Sequence, residues 1–204
     1  MRIMFRVPLL LFRHFYGGLQ QYYAGLKFRF RVLKQGDWAA KPLFLLNAHN
    51  VVIGRNVRIK KGYRIECYEQ FCGRKLSPHF EINDGVIINP GFTAFVADSL
   101  SIGKDTIFAG NVTLITENHG MNPESDVPYH AQPLTTGPIK IGEGCWFGQN
   151  SCVLPNVTIG KKCIIATNAV ITSDIPDFSI AAGCPAKIIK CYNFQEHKWE
   201  RVNK

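Results

Sequence analysis

A mainly β fold wound as stacked coils is predicted by three observations. An aliphatic or aromatic residue returns every six positions through most of the chain. Small residues stand four places after the later of these anchors. One long polar, proline-containing stretch interrupts the pattern, which then resumes. Self-similarity at a fixed period is the signature of solenoids, in which each repeat packs only on its neighbours.

Composition bounds the reading. The chain has 204 residues, 46% of them hydrophobic, which suits one domain with its own core and excludes a disordered chain. The seven cysteines show no Cys-x-x-Cys spacing and no secretory signal precedes them, so reduced thiols in a cytosolic protein are expected.

The net charge of +9 is uneven. Residues 1–46 carry eight Lys/Arg against one acid, residues 47–176 carry eleven of each sign, and residues 177–204 carry five bases and three acids. The first segment is therefore a basic arm, and it also holds ten of the 24 aromatics. Its apolar run between Arg6 and Arg13 is far shorter than the ~20 residues of a spanning helix. Two compatible readings stay open for it. It caps the end of the domain, or it makes peripheral contact with an anionic membrane surface. Nucleic acid is not an expected partner, since the body is neutral.

The repeat runs over residues 47–176. Ile53, Ile59 and Ile65 are six apart. Ile82, Ile88 and Ala94 follow an irregular piece, "CYEQFCGRKLSPHF". The eight-residue "AFVADSLS" shifts the frame before Ile102, Phe108 and Leu114. Past the long interruption come Ile141, Phe147, Val153, Ile159, Ile165 and Ile171. Cys145, Ser151, Val157, Cys163 and Ala169 trail the later anchors by four. A short strand, a tight turn and another strand would aim both positions inward, one bulky and one small, into a narrow core. The cysteines among them are thus read as small core residues.

The interruption, residues 117–140, must project outward, because irregular backbone inside the wall would leave unpaired polar groups. His119 sits at its root. An imidazole ordinarily titrates near ~6.5 and can take a proton from a hydroxyl that is otherwise a poor nucleophile. The plainer alternative is a hydrogen-bonded loop residue. Glu117, Asn118, Glu124 and His130 share the loop and are candidates to touch an acceptor, against a plain reading as solvated residues. His79 is read as structural.

The "IG"-phased repeats and the block "IKIGEGCWFGQNSCVLPNVTIGKKCIIATNAVITSDIPDFSIAAGCPAKIIK" resemble the hexapeptide-repeat acyltransferases, in particular maltose, galactoside and serine acetyltransferases and bacterial polysaccharide O-acetyltransferases. The resemblance covers roughly residues 47–190. It implies a left-handed parallel β-helix with three flat faces, against the usual crossover hand. It further implies a homotrimer, acetyl-CoA as co-substrate and no metal.

Carried over residue by residue, the resemblance makes His119 the general base. Asn89 becomes a donor to the acceptor or the developing oxyanion, against a turn role before Pro90. Trp146 lines a coenzyme groove between two subunits, against a core role. Gln149 lies by the thioester, Ala166 and Thr167 lie along pantetheine, and Thr172 meets the adenosine end. Ser173 departs from the Thr-Lys pair usual there. Lys187 and Lys190 would supply the missing phosphate charge, against being simply solvated.

The implied function is transfer of acetyl to a sugar hydroxyl on a lipid-linked or nucleotide-linked saccharide, in capsule, exopolysaccharide or O-antigen synthesis. The expected place is the cytoplasm, peripheral at the inner membrane face. An N-acetyltransferase acting on a nucleotide-linked amino sugar and a non-catalytic trimeric scaffold are the alternatives. A metal enzyme of the γ-type carbonic anhydrase kind would need a His pair five apart, and His119 and His130 are eleven apart.

Overall fold

The computed structural model describes residues 22–30 and 38–202. Its strands form three parallel sheets that wrap one core, each coil adding one strand to each sheet. The first face holds Trp38–Ala39, Arg58–Ile59, Ile87–Ile88, Ile107–Phe108, Trp146–Phe147 and Ile164–Ile165, then Ser179–Gly183. The second holds Phe44–Leu46, Arg64–Cys67, Thr93–Val96, Thr113–Ile115, Cys152–Val153 and Val170–Ile171. The third holds Val51–Ile53, His79–Ile82, Ser99–Ile102, Ile139–Ile141 and Val157–Ile159. The chain visits them in that order on every turn, so the body is a three-sided prism with three edges.

Register explains the period of six. Ile59, Ile88, Phe108, Phe147 and Ile165 are stacked partners on the first face, and Ile65, Ala94, Leu114, Val153 and Ile171 on the second. Every anchor from Ile53 to Ile171 is buried, and so are Cys145, Ser151, Val157, Cys163 and Ala169. Along the axis Phe92 meets Phe108 edge-on with ring centroids 5.3 Å apart, and Phe108 stacks on Phe147 at 4.7 Å. The edge between first and second faces turns through left-handed residues at Gly62, Gly91, Asn111, Asn150 and Asn168. Glycine and asparagine tolerate that conformation. Asn111, Asn150 and Asn168 bond amide to amide in a ladder, at 3.2 and 3.1 Å.

The regular coil begins at Trp38, inside the segment assigned to the arm, because Trp38–Ala39 and Phe44–Leu46 already pair with the next coil. Residues 22–30 are helical. Phe28 joins the core with its ring 6.0 Å from that of Tyr63, and Arg29 Nε donates to the Ala39 carbonyl at 3.0 Å. This part of the arm thus packs as a cap. The membrane reading of residues 1–46 falls largely on residues 1–21 and 31–37, outside the described residues. No helix among the described residues is long and apolar enough to cross a membrane. At the other end, Ala186–Asn193 and Lys198–Arg201 fold back antiparallel and extend the first face.

Candidate active site

Every interruption of the repeat leaves the prism at one edge, between the second and third faces. Three structures stack there: a hairpin of Gln70–Phe71 and Arg74–Lys75, the tight passage at Ala97 and Asp98, and the long loop after Ile115. The loop opens on a short antiparallel stem, with Glu117 opposite Thr136 and Asn118 opposite Thr135. Beneath the stem, the buried hydroxyl of Thr116 accepts the Ala97 and Asp98 amides at 2.8 and 3.2 Å. The stem therefore stands on a fixed corner.

His119 is one residue past that stem and is exposed. The ring of Phe71, from the hairpin two coils away, lies 5.4 Å from the imidazole at 60°. Glu117 is half-buried. Burial pushes its carboxyl up, and the charge of His119 draws it partly back. Below it, Glu66 points outward from the second face yet is only 6% exposed. It pairs with Arg64 and accepts the Tyr68 hydroxyl at 2.7 Å. Burial and this bond to Glu66 push the Tyr68 phenol up. Arg64 lies between the rings of Phe44 and Phe95, at 5.8 and 5.0 Å.

Gln132 holds the loop in shape. It is 4% exposed, donates to the Asn122 and Val127 carbonyls at 3.0 and 2.9 Å, and accepts the Asn122 amide at 3.0 Å. Gly120 packs onto it, since a Cβ there would come 2.7 Å from Cβ of Gln132. Sequence reading missed Gln132 and Phe71. Glu124 and His130 are exposed on the outer part of the loop, and Asn118 is exposed on the stem.

The other predicted residues lie elsewhere on the prism. Asn89 is at the edge between first and second faces, and its amide donates to the Phe108 carbonyl at 2.7 Å, so it serves the wall. Gln149, Ala166 and Thr167 share that edge and reach the surface. Ala166 and Thr167 carry small side chains, and the next coil packs so closely on buried Gly148 that only glycine fits there. A Cβ on Gly148 would come 2.5 Å from the Thr167 amide nitrogen.

Trp146 is 53% exposed on the outside of the first face, which corrects the core alternative. It continues a row of Ile87, Ile107, Ile164 and Ile180. Lys187 and Lys190 pair with Ala182 and Ile180 across a bulge, so both emerge on the same outer face. Thr172 is exposed after Val170–Ile171, on the loop's edge rather than beside Thr167. One chain therefore carries His119 on one edge and Gln149, Ala166 and Thr167 on another, with the second face between them. Among the described residues, no three His, Cys, Asp or Glu are grouped to hold a metal ion.

A parallel three-sided coil with hexapeptide phasing and a histidine-bearing loop defines the hexapeptide-repeat acyltransferases. The chain belongs to that family. The model for the bacterial transferase hexapeptide (six repeats) matches residues 138–173. The chain is 31% identical over 170 residues to a protein of Escherichia coli K12 provisionally named lipopolysaccharide biosynthesis O-acetyl transferase WbbJ, covering 79% of this chain and 82% of that one. It is 27% identical over 187 residues to the galactoside O-acetyltransferase of the same strain, covering 86% and 74%.

Among solved structures, the N-acyltransferase AntD of Bacillus cereus, in complex with dTDP and 3-hydroxybutyryl-CoA, superposes with a TM-score of 0.63 at 15% identity. The match covers 79% of this chain and 83% of that one. The hexapeptide-repeat acetyltransferase VCA0836 of Vibrio cholerae gives 0.58 at 20% identity, covering 71% and 74%. These likenesses establish the fold, a left-handed parallel β-helix. The chain is an acyltransferase.

Proposed function

We propose that this chain is an acetyl-CoA-dependent O-acetyltransferase acting on a sugar hydroxyl in surface-polysaccharide synthesis. The observation that carries the reading is the seat of His119, one residue past the paired stem of a loop whose shape Gln132 fixes. His119 removes the acceptor proton as the alcohol oxygen attacks the thioester carbonyl. The tetrahedral intermediate collapses, the carbon–sulfur bond breaks, and the imidazolium returns its proton to the departing thiolate. The product is an acetyl ester and free coenzyme A. Glu117 stands two residues before His119, and its carboxyl interacts with the charge of that ring.

Acetyl-CoA lies along the edge of Gln149, Ala166 and Thr167, with Lys187 and Lys190 toward its phosphates. The relatives named for lipopolysaccharide and galactoside O-acetylation support a saccharide acceptor. Three copies complete the site by setting the donor edge of one against the loop edge of the next, with the row through Trp146 covered between copies. The enzyme works in the cytoplasm, with the basic arm that precedes the first coil at Trp38 touching the inner membrane face. Deleting residues 1–21, which spares the helix that carries Phe28 and Arg29, is expected to release it from anionic vesicles with the fold unchanged. Equal flotation with and without the arm would remove the membrane part.

His119→Ala tests the chemistry. It is expected to slow transfer about 10²–10⁴-fold while leaving acetyl-CoA binding intact. Wild-type rate in that variant contradicts the assignment. Hydroxylamine at neutral pH separates the alternatives, because it cleaves an O-acetyl product and spares an N-acetyl one.

A further inference from the structure

The hairpin beside the loop carries the next step. Cys72 and Gly73 at its tip both have positive φ, 45° and 75°, the two-residue turn whose twist matches paired strands. Phe71 is thereby set opposite Arg74, and Gln70 opposite Lys75. Directly opposed residues share a face. Arg74 therefore leaves the hairpin on the side of Phe71, which is the side of His119.

The hairpin is braced at both ends. Glu69 at its base meets His49 Nε2 at 2.6 Å and accepts Asn50 Nδ2 at 2.8 Å. The Cys72 thiol at its tip donates to the Ala131 carbonyl of the long loop at 3.1 Å. Phe71 is half-exposed, Arg74 is exposed, and no carboxylate among the described residues is in ion-pair range of Arg74.

We propose that this hairpin is an acceptor subsite, in which Phe71 stacks on the sugar ring presented to His119 and Arg74 binds a phosphate ester carried by that sugar. The inference rests on the acetyl-transfer reading above. An alcohol within about 3 Å of the imidazole belongs to a ring that reaches the Phe71 face. Aromatic walls with few polar groups are the usual lining of such pockets. A guanidinium matches a phosphate with two parallel hydrogen bonds. The phosphate is that of a nucleotide-diphosphate sugar or of a polyprenyl-diphosphate sugar.

The test measures acetyl-CoA-dependent thiol release by the full chain with three acceptor sets: UDP-sugars, a polyprenyl-diphosphate-linked monosaccharide and neutral nitrophenyl glycosides. An anionic set is expected to give the lowest acceptor KM, and the set that does so identifies the source. Arg74→Gln is expected to raise that KM about 10–100-fold. Phe71→Leu is expected to raise it up to about 10-fold, while Phe71→Tyr restores it. The KM for acetyl-CoA stays constant throughout. An active wild type whose acceptor KM ignores Arg74→Gln and Phe71→Leu, or which prefers neutral glycosides, overturns the subsite alone. A wild type that transfers to none of the sets overturns the acetyl-transfer reading and the subsite with it.

Discussion

The carboxyls of Glu66 and Glu117 differ because their surroundings differ. Glu66 is buried but fully partnered by Arg64 and the Tyr68 hydroxyl. Glu117 is half-buried, and burial dominates its titration, pushing it up. A carboxyl raised in the folded state favours the neutral form. Its contribution to stability is full below the ordinary Glu range near ~4.3 and is lost as pH rises through the raised value. Glu117→Gln is therefore expected to melt higher than wild type at pH 7, with the gain disappearing toward pH 4. The same variant is expected to transfer acetyl more slowly, since it removes the negative charge that interacts with His119. A melting gain that grows as pH falls would reverse this account. At this scale the position of His119 was legible in the sequence, because a histidine at the root of a broken repeat is visible in one dimension. It was silent about Phe71, which reaches His119 only because two coils stack.

The elements divide the same way. Every six-residue anchor is buried, because alternate positions of a short strand and the turn that follows must fill a narrow prism. Counting anchors in threes from Ile53 places Ile65, Ala94 and Leu114 on one face, and each interruption follows one of them. That count was available in the sequence and puts the hairpin and the loop on one edge. The start of the first coil was hidden, since "WAAKPLFLL" lacks the phased pair of bulky and small residues. Gln132 was hidden because a loop's internal hydrogen bonds leave no period. Gln132→Leu removes three hydrogen bonds worth about 1 kcal/mol each. Amide exchange in residues 119–137 is expected to rise about 30-fold or more, with the coil amides unaffected and transfer slowed. Unchanged loop protection would deny Gln132 its role.

For the whole molecule, the prism separates what the chemistry must join. Each face is about six residues wide at ~3.3 Å apiece, so the donor edge and the His119 edge of one chain stand up to ~20 Å apart. In the proposed trimer, unlike edges of neighbouring copies meet and the row through Trp146 is covered. The donor half can be tested without knowing the acceptor. The measurement is calorimetric titration of acetyl-CoA, with the mass of the protein in solution determined on the same sample. A trimer that binds one acetyl-CoA per chain is expected, with the same affinity in His119→Ala. A folded trimer that binds none, or a monomer that binds as tightly, would contradict it.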